Sequence, residues 1–168
     1  MATVKKIIPH LWFAKGAEEA AKFYTSIFRD SRIGRTSYYT DEGSEQHHHK
    51  AGDVLTVEFE LNGTQFLALN GGPEFKFNEA ISLMIMCKDQ EEIDHYWNKL
   101  TEGGEERECG WLKDKFGLSW QVVPDKMPDW ITDNDPKKVA RVMHEQFKMK
   151  KYDYATLERA FSGDLVDA

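Results

Sequence analysis

VLTVEFELNGTQFLALN, running from Val54 to Asn70, alternates in polarity, turns on Asn62-Gly63 and resumes as a second apolar run. Leu55, Val57, Phe59 and Leu61 alternate with Thr56, Glu58 and Glu60, the period-2 pattern of a strand with one buried face. Asn-Gly between two such runs is a strong hairpin signal, because a two-residue turn of this kind needs positive φ at both positions. The stretch is therefore read as a strand over 54–61, a tight turn and a strand over 65–70.

Working outward, residues 5–13 read as a strand with Pro9 at an edge or bend. Gly16 leads into a helix whose Ala20, Phe23, Tyr24 and Ile27 fall on one face. Residues 31–39 form a weaker strand, and 40–53 a polar loop. The order then repeats. Ile81 to Cys87 is a strand. Asp89-Gln90-Glu91-Glu92 has the form of a capping box ahead of a helix with Ile93, Tyr96, Trp97 and Leu100 on one side, and Gly103-Gly104 ends it. Strands over 105–113 and 118–123 follow, joined by a turn at Asp114 to Gly117. This predicts an α+β fold of two paired βαβββ modules, about 5–72 and 79–124, in an open, barrel-like mixed sheet around a shared cleft. Residues 125–168 form a helical extension. Within it, Asp135-Pro136 opens one helix with Val139, Val142, Met143 and Phe147 on its apolar face. Asp153 caps a last helix, with Leu157 and Phe161 on one side and Gly163 at its end.

The bulk properties narrow the function. The chain has 168 residues, 40% hydrophobic and 12% aromatic, which suits a packed interior. A net charge of -7 argues against a nucleic-acid backbone as partner. No apolar run has the length to span a bilayer, and Met1 to Lys6 lacks a signal-peptide core. Cys87 and Cys109 have no metal or redox spacing, so reduced thiols and a cytoplasmic location are expected.

Several segments together carry a family resemblance: Pro9-His10-Leu11-Trp12-Phe13, Glu18 to Tyr24, Val54 to Phe59, Phe66 to Pro73, Cys109 to Asp114 and Gly117 to Pro124. The chain resembles the vicinal oxygen chelate superfamily of glyoxalases and extradiol dioxygenases. Within it the likeness is to the PhnB-like branch and the "3-demethylubiquinone-9 3-methyltransferase" domain proteins. The resemblance implies paired modules and a homodimer. It also implies metal-ligand positions on the first and last strand of each module, which here fall at His10, Leu67, Ser82 and Gln121. A divalent ion needs several N or O donors converging at ~2.0–2.3 Å. Leu67 supplies none, and Ser82 and Gln121 are neutral and weak. No metal and no cofactor are therefore expected.

The residues expected to line the cleft are His10, Trp12, Leu67, Ser82, Met84, Cys109, Trp111 and Gln121. His10 is the candidate proton-transfer or hydrogen-bonding group. Cys109 is the candidate nucleophile, with Arg107 on the same face of a regular strand. Gln121 is the polar anchor, and Trp12, Trp111, Trp120 and Phe75 the aromatic wall. Such a lining suits a small, flat organic ligand. Three other readings stay open: a lyase, isomerase or dioxygenase that recruits a metal through His10, the methyltransferase of the family description, and a non-catalytic sequestering protein. Asn70-Gly71-Gly72-Pro73 lacks the following helix that a phosphate or S-adenosylmethionine loop needs. His47-His48-His49, read as extended, cannot all face one ion.

Overall fold

The computed structural model describes residues 7–164 and divides into two compact units, Met1–Phe77 and Asn78–Ala168. The first unit runs β1 (His10–Phe13), α1 (Ala17–Ile27), β2 (Arg32–Tyr38), α2 (Ser44–His47), β3 (Val54–Leu61) and β4 (Thr64–Asn70). Its four strands form one sheet in the order β1-β4-β3-β2, with β1 and β4 parallel and the other pairs antiparallel. The hairpin forms as read, with Asn62 at φ 45° and Gly63 at φ 80°. Alternation decides the faces. Leu11, Phe13, Val57, Phe59, Phe66 and Ala68 are buried, together with Ala20, Ala21, Tyr24 and Ile27 of α1, which packs on β3 and β4.

The second unit repeats the pattern with β5 (Leu83–Cys87), α3 (Gln90–Thr101), β6 (Glu105–Glu106), β7 (Trp111–Lys113) and β8 (Ser119–Pro124). The sheet order β5-β8-β7-β6 again begins with a parallel pair. Ile85, Cys87, Leu112, Trp120 and Val122 are buried, as are Ile93, Trp97 and Leu100 of α3. Asp89 caps α3 by accepting from the Glu92 amide. The Glu92 carboxylate reaches back to the Lys88 amide, one residue before the cap.

Three helices complete this unit: α4 (Met127–Ile131), α5 (Pro136–Gln146) and α6 (Tyr154–Ser162). Asp135 and Asp153 cap α5 and α6, accepting from the Lys137 and Thr156 amides. Gly163 at φ 90° closes α6. The segment between α5 and α6 is tied to the sheet and to α3. Cys109 and Gly110 donate their amides to the Met149 and Lys150 carbonyls, and the Gln90 side chain bridges the Tyr152 carbonyl and the Tyr154 amide.

Several sequence expectations change. The opening strand starts at His10, and residues 5 and 6 lie outside the described residues. The polar loop holds the one-turn helix α2, and the extension holds α4, whose Met127 and Trp130 are buried. The continuous strand over 105–113 is broken. Cys109 at φ 58° and Gly110 at φ 76° turn the chain, because the Gly110 amide is drawn to the Lys150 carbonyl while its own carbonyl takes the Val122 amide. Finally, the apolar face read on α5 is only partly covered: Val142 is buried, whereas Met143 and Phe147 are exposed.

Candidate functional site

In each sheet one face lies under its own unit's helix, and the other face carries the candidate residues. In the first sheet His10 pairs with Leu67 and Trp12 with Leu69 across the parallel β1–β4 ladder. His10 is exposed and Trp12 and Leu67 are half-buried. Trp12 is held firmly: its indole N–H donates to the Gly72 carbonyl at 2.9 Å, and Phe75 meets its ring edge-on at 4.8 Å. On the same face Arg35 donates to the Glu58 carboxylate through two nitrogens. That hydrogen bond holds Glu58 below the usual carboxylate range.

The tryptophan also explains the glycines after β4. A Cβ on Gly71 would collide with the Trp12 ring. Gly72 has φ 101° and supplies the carbonyl that fixes the indole. Asn70 accepts from the Ala17 amide at the start of α1 and donates to Glu18 and to the Val54 carbonyl. The whole motif is spent on packing, and no helix follows it before β5. Gly71→Ala is expected to push the Trp12 ring off the sheet face, seen as a shift of its fluorescence emission with the secondary structure kept.

In the second sheet Met84, Gln121 and Trp111 stand side by side across β5, β8 and β7. Gln121 donates to the Ser82 hydroxyl at 2.9 Å, a diagonal contact. The register places Met84 opposite Gln121, where the first sheet has His10 opposite Leu67. The counterpart of His10 is thus Met84 rather than Ser82, which leaves the set even poorer in donors. Trp120 leaves the expected aromatic wall. It faces α3, is 2% exposed and donates its indole N–H to Asp114 at 2.8 Å.

The candidate nucleophile Cys109 does not fit that role. The chain turn puts its sulfur against the Gln146 carbonyl, and Arg107 is engaged with Glu79 and Glu105 instead. Burial, with Glu108 nearby, raises its thiol pKa, the reverse of what a reactive cysteine needs. Burial pushes the Cys87 thiol further, to about 12 from 9.0, with Glu92, Asp89 and Asp125 adding to the shift. The fold therefore keeps a proton that the unfolded chain releases above pH 9.0. This contribution to stability is whole below that value and is lost as pH climbs towards about 12. Urea midpoints are expected to fall over that window, and less steeply in Cys87→Ala.

The histidine run is only partly extended. His47 ends α2, His48 is left-handed, and Tyr39 meets the tilted His47 ring at 4.6 Å and stacks on His49 at 4.2 Å. No group of three or more His, Cys, Asp or Glu side chains suited to a metal ion lies together among the described residues. The residues at the family's ligand positions do not fit a resident metal either. One pocket the sequence did not announce, of about 500 Å³, opens at the start of α1 beside Lys15, Glu18, Lys22, His49, Asp53 and Asn70. Its buried polar group, Asn70, is already committed to the helix start and β3.

The sequence also failed to show a polar cluster on the exposed face of the second sheet. Arg107 reaches Glu79 at 2.8 Å and Glu105 at 3.3 Å, and Lys113 reaches Glu105 at 3.3 Å and Glu79 at 3.9 Å. Lys113 stands opposite both Glu105 and Ser119 in the ladder. Two donors there are buried without a partner, Arg107 Nε and the Ser119 hydroxyl. Leaving such a group unpaired costs about 1–3 kcal/mol. The alternation of Glu105 and Arg107 is visible in the sequence, but Glu79 joins them only through the fold.

No helix among the described residues is long and apolar enough to cross a membrane. No curated protein matches the sequence. Among solved structures, the chain is 36% identical to a PhnB protein from Bacillus cereus, with a TM-score of 0.63 over 71% of this chain and 99% of that one. Two more distant structures share the fold alone. Protein PA1353 from Pseudomonas aeruginosa is 16% identical, with a TM-score of 0.58 over 73% of this chain and 98% of that one. The fosfomycin resistance protein FosX from Mesorhizobium loti is 12% identical, with a TM-score of 0.53 over 79% and 100%. A family model described as 3-demethylubiquinone-9 3-methyltransferase matches residues 5–123. With both sheets built on one plan, the chain belongs to that family, in the PhnB-like branch of the vicinal oxygen chelate superfamily.

Proposed function

We propose that this protein binds a small organic molecule on the exposed sheet faces and holds no metal of its own. The observation that carries the reading is the ladder register. It sets His10, Trp12 and Leu67 together on one face, and Met84, Trp111 and Gln121 together on the other, with Ser82 reached from Gln121. Aromatic walls with a few polar groups suit a flat organic ligand. His10 supplies a hydrogen-bonding or proton-transfer group and Gln121 an anchor. The absence of a resident metal is argued from the donors: one imidazole among aliphatic, thioether, hydroxyl and amide groups does not hold a divalent ion. The methyltransferase of the family description gains nothing from Gly71 and Gly72, whose places are taken by Trp12. The proposal extends to a cytoplasmic homodimer, testable by sedimentation.

The decisive experiment is a fragment screen on protein purified without a nickel column, followed by tryptophan fluorescence and elemental analysis. Ligand binding insensitive to a chelator, weakened about tenfold in His10→Ala, is expected. Wild-type affinity in that variant removes His10 from the site. Stoichiometric metal favours a metal-recruiting enzyme instead, and heat on titrating S-adenosylmethionine favours the methyltransferase.

A further inference from the structure

We propose that the ligand of the second sheet carries an anionic oxygen group, and that Glu79 offsets, in the free protein, the positive charge this group would meet. This inference rests on the small-molecule reading above and specifies its chemistry. The starting point is a pair of anomalies on one sheet face. Ser119 is 1% exposed and its hydroxyl has no partner. Arg107 binds carboxylates through both terminal nitrogens while its Nε–H, also buried, has none. Buried donors in folded proteins are almost always paired, so two orphans in one neighbourhood call for a reason.

The neighbourhood is defined by register. Glu105, Lys113 and Ser119 stand opposite one another across β6, β7 and β8. The next row on that face holds Trp111, Gln121 and Met84, with the Arg107 amide bound to the Trp111 carbonyl. Donors and cations therefore sit beside an aromatic and a thioether surface. That is the layout needed for an aromatic or similarly flat carboxylic acid. The acid group would accept from Arg107 Nε–H and the Ser119 hydroxyl while the ring lies on Trp111 and Met84.

The charge count identifies the internal competitor. Arg107 and Lys113 face Glu79 and Glu105, so the cluster is neutral as it stands. Glu105 belongs to β6, with Lys113 and then Arg107 holding its carboxyl below the ordinary range. Glu79 instead lies on the irregular segment before β5, outside the strand ladder. It is the carboxylate that can swing away. When it does, one uncompensated positive charge remains, enough to hold a singly charged acid.

The test is a two-dimensional NMR titration of the full chain with benzoate, its neutral analogue benzamide and inorganic phosphate, following the Trp111 indole and Gln121 amide signals. Glu79→Gln removes the competing charge at a partly exposed position, and benzoate is expected to bind it about tenfold more tightly than wild type. Adding Ser119→Ala is expected to reverse that gain, while benzamide is indifferent to both changes. Unchanged benzoate affinity in Glu79→Gln, or a gain that survives Ser119→Ala, overturns the inference. Benzamide equal to benzoate in every variant overturns it but leaves the small-molecule reading standing. Phosphate equal to benzoate replaces the organic acid with a bare anion and overturns the assignment of Trp111. Failure of both aromatic probes to shift either signal overturns this inference together with the reading beneath it.

Discussion

Asp114→Ala is expected to destabilise the second unit by about 4 kcal/mol, read as a lower urea midpoint at unchanged slope. The residue is 3% exposed in the turn between β7 and β8. One carboxylate oxygen accepts from the Phe116 and Leu118 amides, and the other from the Trp120 indole at 2.8 Å. These bonds fix where β8 begins, and with it the register that sets Gln121 beside Trp111 and Met84. Truncation strands donors that water reaches poorly. Asp114→Asn separates shape from acceptor chemistry. It keeps the volume and the bonds to the amides but turns an N–H towards the Trp120 N–H, and a loss of about 2 kcal/mol is expected. Should Asn prove as harmful as Ala, the indole rather than the turn amides holds the site together.

Asn70→Leu is the corresponding lesion in the first unit, with an expected loss of about 3 kcal/mol. Helix α1 follows Gly16, which has no side chain to cap it, so its first amide is capped from β4 by the Asn70 oxygen at 2.9 Å. The amide nitrogen of the same residue donates to Glu18 at 2.8 Å and to the Val54 carbonyl at 3.0 Å. Leucine fills the space and satisfies none of the three. Asn70→Asp keeps the cap but sets a carboxylate against Glu18 and leaves Val54 without its donor. Its stability is expected to recover as pH falls and the new carboxyl is protonated, whereas the leucine variant is expected to show no such recovery. A pH-independent Asn70→Asp loss would mean that the Val54 carbonyl, not the Glu18 pair, dominates.

The parts of this fold that the sequence announced are those set by neighbours a few residues apart. The hairpin at Asn62-Gly63, the strand face of Val57, Phe59 and Leu61, and the helices capped by Asp89, Asp135 and Asp153 all rest on local geometry. That His10, Trp12 and Leu67 share one sheet face, and Met84, Trp111 and Gln121 another, was legible for the same reason, since alternation assigns a side chain to a face. Cys109 was misplaced because the break in its strand comes from carbonyls of residues 146 to 150, far along the chain. Trp120 was misassigned because an aromatic residue suits a wall or a core equally until its indole finds Asp114.

Period and turn chemistry thus specified two strand-helix-strand repeats, their helix starts and which side chains share a sheet face, because each depends only on backbone geometry over a turn or a pleat. The fold alone determined that Met84 rather than Ser82 stands across from Gln121, that Gly71 lies beneath Trp12, and that Glu79 closes on Arg107. Each of those depends on the register between strands or on a contact between distant segments, and such pairings are settled by packing energy over the whole core, which no short stretch of sequence contains.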